Sequence, residues 1–259
     1  MLYMSANILL ATPCYGNMMT RNYFHSVMKL KDACKSVNIN VDVSTIGNES
    51  LITRARNYFV SLTLANKSYT HLLFVDADIT FDPLSVIRMV QSEKMIAAGA
   101  YPKKHIDWNR ASELYKNEKD AESVEPQLYD YAINIVTDSS TQTIPIVDGF
   151  LKVSYAATGF MLIRREVLEK MVESFPQLKY TNDVTGYFNG TNDNFFYAFF
   201  DCIIDEKSKR YLSEDYAFCQ RWLQLGGDIW VDLLCDLSHC GSYNFRGSFL
   251  KTIEKHINK

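Results

Sequence analysis

Short apolar runs alternate with stretches of helical spacing through residues 7–100, and this alternation constrains the fold more than any other feature. Asn7–Ala11 (NILLA), Asn40–Thr45 (NVDVST), Leu72–Val75 and Met95–Ala100 read as strands. Between them the spacing predicts helices over Thr20–Val37, Leu51–Leu64 and Pro83–Ser92. On the first helix Phe24, Val27, Met28 and Cys34 fall on one face. On the second, Ile52, Ala55, Phe59 and Leu62 sit at core spacing. A β-α-β-α-β-α-β series forms a mainly parallel sheet with right-handed crossovers, flanked by helices. The chain is therefore expected to be α/β, and open sheets of this kind bind ligands at the carboxyl ends of their strands.

The third strand delivers charge to that edge. In His71–Pro83, HLLFVDADITFDP, an apolar run leads straight into Asp76-Ala77-Asp78. Two carboxylates at i and i+2 of an extended chain point to the same side. Like charges placed so are unfavourable unless a cation lies between them or water solvates them. Asp82-Pro83 then supplies an N-cap and a Pro at N1 to open the next helix. Read alone, this stretch fits either a solvated acidic turn or a cation site.

The pattern changes after residue 102. Lys103–Thr143 is polar with little periodicity and reads as excursion and loop, with room for short helix. Ile144–Val147 and Phe150–Ser154 flank Asp148-Gly149, a hairpin signal. Ala157–Ile163 is a further strand and Arg164–Glu173 a helix. Phe175–Arg210, rich in Asn, Asp, Tyr and Phe, reads as a long loop or lid. Its Phe188, Phe195, Phe196 and Tyr197 suit either sugar stacking or the core, with about half expected in the core. Ser213-Glu214-Asp215 caps a helix through Leu225, with Phe218, Cys219 and Trp222 inward, and Gly226-Gly227 stops it. Ile229–Leu234 is the last strand, followed by Ser238-His239-Cys240-Gly241 and a tail containing Phe245, Arg246 and Gly247.

Composition narrows the partners. A net charge of −3 offers no basic field for nucleic acid. No apolar run approaches a membrane span. The start, MLYMSANILLATP, enters a strand with no charged n-region, so no signal peptide is expected. The six cysteines are scattered without CxxC spacing, which argues against a zinc knuckle and fits reduced thiols in a cytosolic setting.

Three residue sets carry candidate chemistry: Asp76 with Asp78, Glu214 with Asp215, and His239 after the last strand. Carboxylates, an imidazole and ligand phosphates together suit Mn²⁺ or Mg²⁺. Such an ion would neutralise a diphosphate leaving group. Asp215 could then act as general base on an acceptor hydroxyl. It could equally serve only as a helix cap, as Ser213 could, and a lone His is more often structural than a ligand.

The strand-borne Asp76-Ala77-Asp78 resembles the DxD motif of GT-A glycosyltransferases, which use nucleotide-sugar donors. The resemblance extends to ATPCYG (Ala11–Gly16), IGNESLITRARN (Ile46–Asn57), GAYPKKHIDW (Gly99–Trp108), ATGFMLIRREVLEKM (Ala157–Met171), SEDYAFCQRW (Ser213–Trp222) and HCGSYNFRG (His239–Gly247). In this order, and spanning nearly the whole chain, the blocks are similar to those of small GT-A-like enzymes of bacteria, phages and large DNA viruses. The resemblance implies one Rossmann-like GT-A domain over residues 1–259. Its nucleotide-binding half would be 1–102. Its acceptor-binding half, 103–259, would hold a second small sheet and loop region and a C-terminal loop with a metal ligand.

The same resemblance implies residue roles. Thr12, Pro13 and Tyr15 would lie near the base. Arg54 and Asn57 would lie near the donor, with Arg56 pointing elsewhere. Asp76, with Ala77 beside it, would meet ribose or metal, and Asp78 and His239 the metal. Lys103 or Lys104 would reach donor phosphate or sugar, and Thr158-Gly159 would line the sugar pocket, where Gly lets a ligand approach the backbone. Asp215 would be the base, with Glu214 the fallback. The implied activity is a hexosyltransferase-like transfer, dependent on Mn²⁺ or Mg²⁺. The sugar would pass from a nucleotide-diphosphate sugar, UDP favoured over GDP, to a hydroxyl of a glycan, lipopolysaccharide or glycoprotein. Inversion in one displacement is expected, although a retaining enzyme can carry the same motif. The expected setting is the cytoplasm, the host's if a virus or phage encodes the chain, with neither nucleic-acid partner nor transmembrane segment.

Three other readings compete. Asp76-Ala77-Asp78-Ile79-Thr80 matches the DxDxT of haloacid-dehalogenase phosphatases, with Asp76 as nucleophile, and Gly227-Asp228 with Asp232 matches their second acidic motif. In that family the motif normally opens the chain, whereas here two βα units precede it, and this GD follows an amphipathic helix rather than an apolar strand. A nucleotidyltransferase would need a Gly-rich loop with Arg and Lys after the first strand, which ATPCYG lacks. A non-catalytic sugar-binding module would not need the Asp76, Asp78, Asp215 and His239 set.

Overall fold

A computed structural model describes residues 5–117, 120–135, 146–187 and 192–257. The first half runs β1 (Ala6–Cys14), α1 (Arg21–Lys35), β2 (Ile39–Gly47), α2 (Ile52–Ala65), β3 (His71–Val75), β4 (Ile79–Thr80), α3 (Pro83–Gln91) and β5 (Ile96–Gly99). Then follow α4 (Trp108–Asn117), α5 (Ala121–Val124), β6 (Ile133–Ile135), β7 (Ile146–Val147), β8 (Phe150–Ala156), β9 (Phe160–Arg164) and α6 (Arg165–Ser174). The chain closes with β10 (Ile203–Ile204), β11 (Tyr211–Leu212), α7 (Glu214–Gln224), β12 (Ile229–Asp232), β13 (Ser238–Cys240), β14 (Asn244–Arg246) and α8 (Phe249–Ile257).

Among the described residues nine strands form the central sheet, in the order β2-β1-β3-β9-β5-β12-β8-β6, with β7 on β8. β1 is parallel to β2 and to β3, and β12 is parallel to β5. β9 lies antiparallel between β3 and β5, so those two strands share a direction. β8 is antiparallel to β12, and β6 and β7 are antiparallel to β8. Only β9 and β8 therefore run against the rest. The α/β class, with a largely parallel Rossmann-like sheet flanked by helices and small separate sheets, is the fold expected from the sequence.

Local signals explain several elements. Thr20 caps α1 by accepting from Tyr23 N–H, and Asp82 caps α3 by accepting from Leu84 N–H, with Pro83 at N1. Asp148 and Gly149 both have positive φ, at 53° and 81°, as the tight β7–β8 hairpin requires. Ile144 of the expected first hairpin strand lies outside the described residues, as does Phe188.

Burial corrects two expected faces. Tyr23, Ser26, Val27, Leu30 and Cys34 form the inner face of α1, while Phe24 and Met28 are exposed. Tyr23 can be buried because its hydroxyl meets Thr12 Oγ1 at 2.5 Å. On α2 the core positions include Ala55, Phe59, Val60 and Leu64, and Ile52 is exposed. The supposed lid is also more structured than a loop. It contains β10, which pairs antiparallel with β11 just beyond it, and Phe196, Tyr197, Phe199 and Phe200 are buried in the main core. Phe200 stacks on Phe218 of α7 with centroids 4.4 Å apart, so these rings fill space between elements.

Candidate active site

The carboxyl end of β3 is where the fold concentrates polar groups. Asp76 follows Val75 directly, and its N–H donates to Gly159 O at 2.9 Å, which ties it to the entry of antiparallel β9. A second, three-stranded sheet, β14-β13-β4, sits beside this edge. In it His239 pairs with Ile79, and Cys240 N–H donates to Asp78 O at 2.8 Å. That small sheet carries a residue far along the chain onto the Asp76–Asp78 turn.

Two charge clusters result. In the first, Asp78 Oδ2 receives Lys104 Nζ at 2.5 Å and Asp78 Oδ1 lies 3.4 Å from His239 Nε2. His239 Nδ1 lies 2.9 Å from the carbonyl oxygen of Pro102. A carbonyl can only accept, so that contact places a proton on Nδ1. Nε2 then faces a carboxylate oxygen, an arrangement that suits a cation held between the two. Burial pushes the Asp78 carboxyl up, but the bonds from His239 and Lys104 outweigh it and hold it below its ordinary value.

In the second cluster Arg56 is the hub. Its Nη2 donates to Asp76 Oδ1 at 3.2 Å and its Nε lies 3.5 Å from Glu214 Oε1. The guanidinium is nearly sealed, with the side chain 4% exposed, and stands over the Phe74 ring at 5.2 Å. Its Nε and Nη1 make no hydrogen bond among the described residues. The buried Oγ1 of Thr158 makes none there either. Burial raises the Glu214 carboxyl above its ordinary value, Arg56 pulls it back, and the Asp215 and Asp76 charges raise it further. Asp215 lies in the first turn of α7, after the N-cap position Ser213, and its Oδ1 accepts from the Ser213 hydroxyl and from Tyr216 N–H at 2.8 Å. Gly159 is required here for space. A Cβ would stand 2.5 Å from Tyr101 Oη and 2.8 Å from Asp76 Oδ2.

The structure therefore brings Asp76, Asp78, His239, Glu214 and Gly159 to one edge, with Ala77 half-buried on the turn between the two aspartates. Thr12, Pro13, Tyr15, Asn57 and Lys103 stand apart from these clusters, whereas Lys104 and Asp215 lie at them. Thr12 is fully buried with its hydroxyl on Tyr23, Pro13 is half-buried, and Tyr15 is 79% exposed on the turn after β1. Asn57 is buried, and its Oδ1 accepts from Phe200 N–H at 3.0 Å, a structural tie. Lys103 is exposed, and its neighbour Lys104 is the lysine that reaches Asp78.

The two arginines meet different surroundings. Arg54 is held by Glu49 through bonds of 2.7 and 2.9 Å, and Arg56 meets the aspartate turn. Its position inside the buried run Ala55–Asn57 is the signal that could have singled it out.

Fit to a divalent cation can be judged from the donor chemistry. Among the described residues no group of three or more His, Cys, Asp and Glu side chains converges as a metal site. Asp78 and His239 do provide an oxygen and a nitrogen with the second ring nitrogen anchored on a carbonyl, the usual outer-shell arrangement of a metal-binding His. A site with this few protein donors fits an ion that takes its remaining ligands from phosphate and water. For the phosphatase alternative, the second acidic motif is occupied elsewhere: Asp228 pairs with Lys152 at 2.5 Å and Asp232 with Arg88 at 2.6 Å.

Among the described residues the six cysteines are free thiols, and no helix is long and apolar enough to cross a membrane. No protein-family model matches the chain, and no curated protein matches it. Solved structures with some likeness include A197 from STIV, at 15% identity and a TM-score of 0.49, covering 91% of this chain and 86% of that one. A putative glucose-1-phosphate thymidylyltransferase from Bacillus anthracis, in complex with a sucrose, has 10% identity and a TM-score of 0.35 over 72% of this chain and 81% of that one. S. aureus TarS 1-349 has 12% identity and a TM-score of 0.38, covering 87% of this chain and 57% of that one. Likenesses this weak carry no functional argument, and the fold and the site rest on the chain's own geometry.

Proposed function

We propose that this chain is a metal-dependent glycosyltransferase that moves a sugar from a nucleotide-diphosphate sugar, UDP favoured, to a hydroxyl of a glycan-type acceptor. The observation that carries this reading is the Asp78–His239 pair, in which an imidazole anchored on a backbone carbonyl turns its other nitrogen toward a carboxylate. Asp78 and His239 would hold Mn²⁺ or Mg²⁺, and a bound ion would neutralise charge on the departing diphosphate. Asp76, paired with Arg56, would face the donor as a hydrogen-bond acceptor. Gly159 lets Tyr101 Oη and Asp76 Oδ2 pack against its backbone, which sets the position of Asp76. Asp215 accepts the acceptor's proton as the hydroxyl oxygen bonds to the anomeric carbon and the bond to diphosphate breaks. Glu214 is already paired with Arg56, which favours Asp215 for that role. Inversion follows from this single displacement. Alignment and charge stabilisation supply most of the acceleration.

A thermal-shift screen of UDP-, GDP- and dTDP-sugars with and without Mn²⁺ tests the reading. A cognate donor at about one hundred times its Kd should add about 2.7 kcal/mol of stability. The increment should need Mn²⁺ and disappear in Asp78→Asn. No metal-dependent shift with any nucleotide would sink the proposal.

A further inference from the structure

Lys104 stands where the proposed cation would act. Its ammonium, 2.5 Å from Asp78 Oδ2, supplies positive charge to the carboxylate that a metal would share with His239. The placement is built into the fold. The backbone before it is fixed by the Pro102–Tyr131 bridge and by Lys103 N–H donating to Asp130 O at 2.8 Å. The aliphatic stem passes over Gly241, where a Cβ would approach Lys104 Cδ to 3.1 Å. A glycine in the turn after His239 thus leaves the lane along which the lysine reaches its partner.

We propose that Lys104 is the resident cation of this site, displaced from Asp78 by the divalent ion and handed over to the donor's diphosphate. The proposal rests on the nucleotide-sugar reading above. Charge explains the exchange. An ammonium and a divalent ion beside one carboxylate repel each other and share its single negative charge, so without nucleotide the two compete for Asp78. A nucleotide-sugar diphosphate brings two negative charges at neutral pH. With it, three positive charges from metal and lysine meet three negative charges from diphosphate and Asp78. Metal and nucleotide should therefore bind cooperatively, with Lys104 carrying part of the coupling. By linkage, each must raise the other's affinity by the same factor.

Calorimetric titration of Mn²⁺ into the protein, alone and with saturating UDP or GDP, tests this in the wild type, Lys104→Ala and Asp78→Asn. Lys104→Ala should bind Mn²⁺ alone about tenfold more tightly than the wild type, while UDP should raise its Mn²⁺ affinity by a smaller factor. Nucleoside diphosphate should bind Mn²⁺-loaded Lys104→Ala about tenfold more weakly than the loaded wild type, and nucleoside monophosphate equally to both. Asp78→Asn should lose Mn²⁺ binding. Unchanged Mn²⁺ affinity in Lys104→Ala, or undiminished coupling, would overturn the proposal while leaving the glycosyltransferase reading intact. If neither diphosphate binds any of the three proteins, that reading fails and the hand-over to phosphate falls with it.

Discussion

Arg54 and Arg56 stand two positions apart on α2, about 200° around a helix of 3.6 residues per turn, and so meet opposite surroundings. Arg54 is about one-third exposed and chelated by Glu49, whereas Arg56 is sealed between Asp76, Glu214 and the Phe74 ring. Removing a buried cation leaves its carboxylates facing one another. Arg56→Met should cost about 3 kcal/mol in urea unfolding at pH 7, somewhat less than a fully buried pair because Asp76 is about one-third exposed. The sign of the pH dependence follows from Glu214, whose carboxyl is raised by burial and by its acidic neighbours. A raised carboxyl binds more protons folded than unfolded, so stability rises as pH falls through its folded value. Without Arg56 that value climbs further, and the deficit of Arg56→Met should shrink between pH 7 and pH 5. A deficit that stays constant over that range would show that the arginine matters for packing rather than for charge.

Elements were legible in the sequence where a local rule decides them. The β3 run, the Asp82-Pro83 cap, the Asp148-Gly149 hairpin and the inward Phe218, Cys219 and Trp222 of α7 all follow from spacing or turn chemistry within a few residues. The inner face of α1 was not legible, because a buried Tyr23 depends on Thr12 of β1 as its polar partner and exposed Phe24 and Met28 look like core in one dimension. The β13–β4 pairing that brings His239 to Asp78 joins segments far apart in the chain and leaves no local trace. The segment after α6 is held by another distant contact. Glu49, its side chain 4% exposed, binds Arg54, the Tyr187 hydroxyl and Leu51 N–H. Burial alone would raise its carboxyl, but these partners outweigh burial and bring it down to about 2. A lowered carboxyl contributes stability that is present above its unfolded value, near 4.5, and lost as pH falls toward 2. The shift corresponds to about 3 kcal/mol. Glu49→Gln should therefore be less stable than the wild type by about that amount at pH 6, and the two urea stabilities should converge toward pH 2. Parallel curves across this range would remove Glu49 as the latch.

At the scale of the molecule, the division into a nucleotide half and an acceptor half does not follow the sheet. β9, from the second half, pairs with β3 along His71–Val75 and with β5 along Ile96–Ala98. β12, further on still, covers the other side of β5. A chain ending at residue 102 would keep β3 and β5 but lose the strand between them, exposing edges whose side chains are buried on both faces. The site is interleaved in the same way, since Arg56, Asp76 and Asp78 come from one half and Gly159, Glu214 and His239 from the other. Stability and site assembly should then be one event. Urea unfolding followed by far-ultraviolet circular dichroism, and by fluorescence of Trp222 and Trp230 beside Trp108, should give superimposable single transitions. A fragment of residues 1–102 should show no cooperative transition and should aggregate through its open edges. If the probes separate, or if the fragment unfolds cooperatively, the halves are independent folding units, and donor binding could then be studied on the first alone.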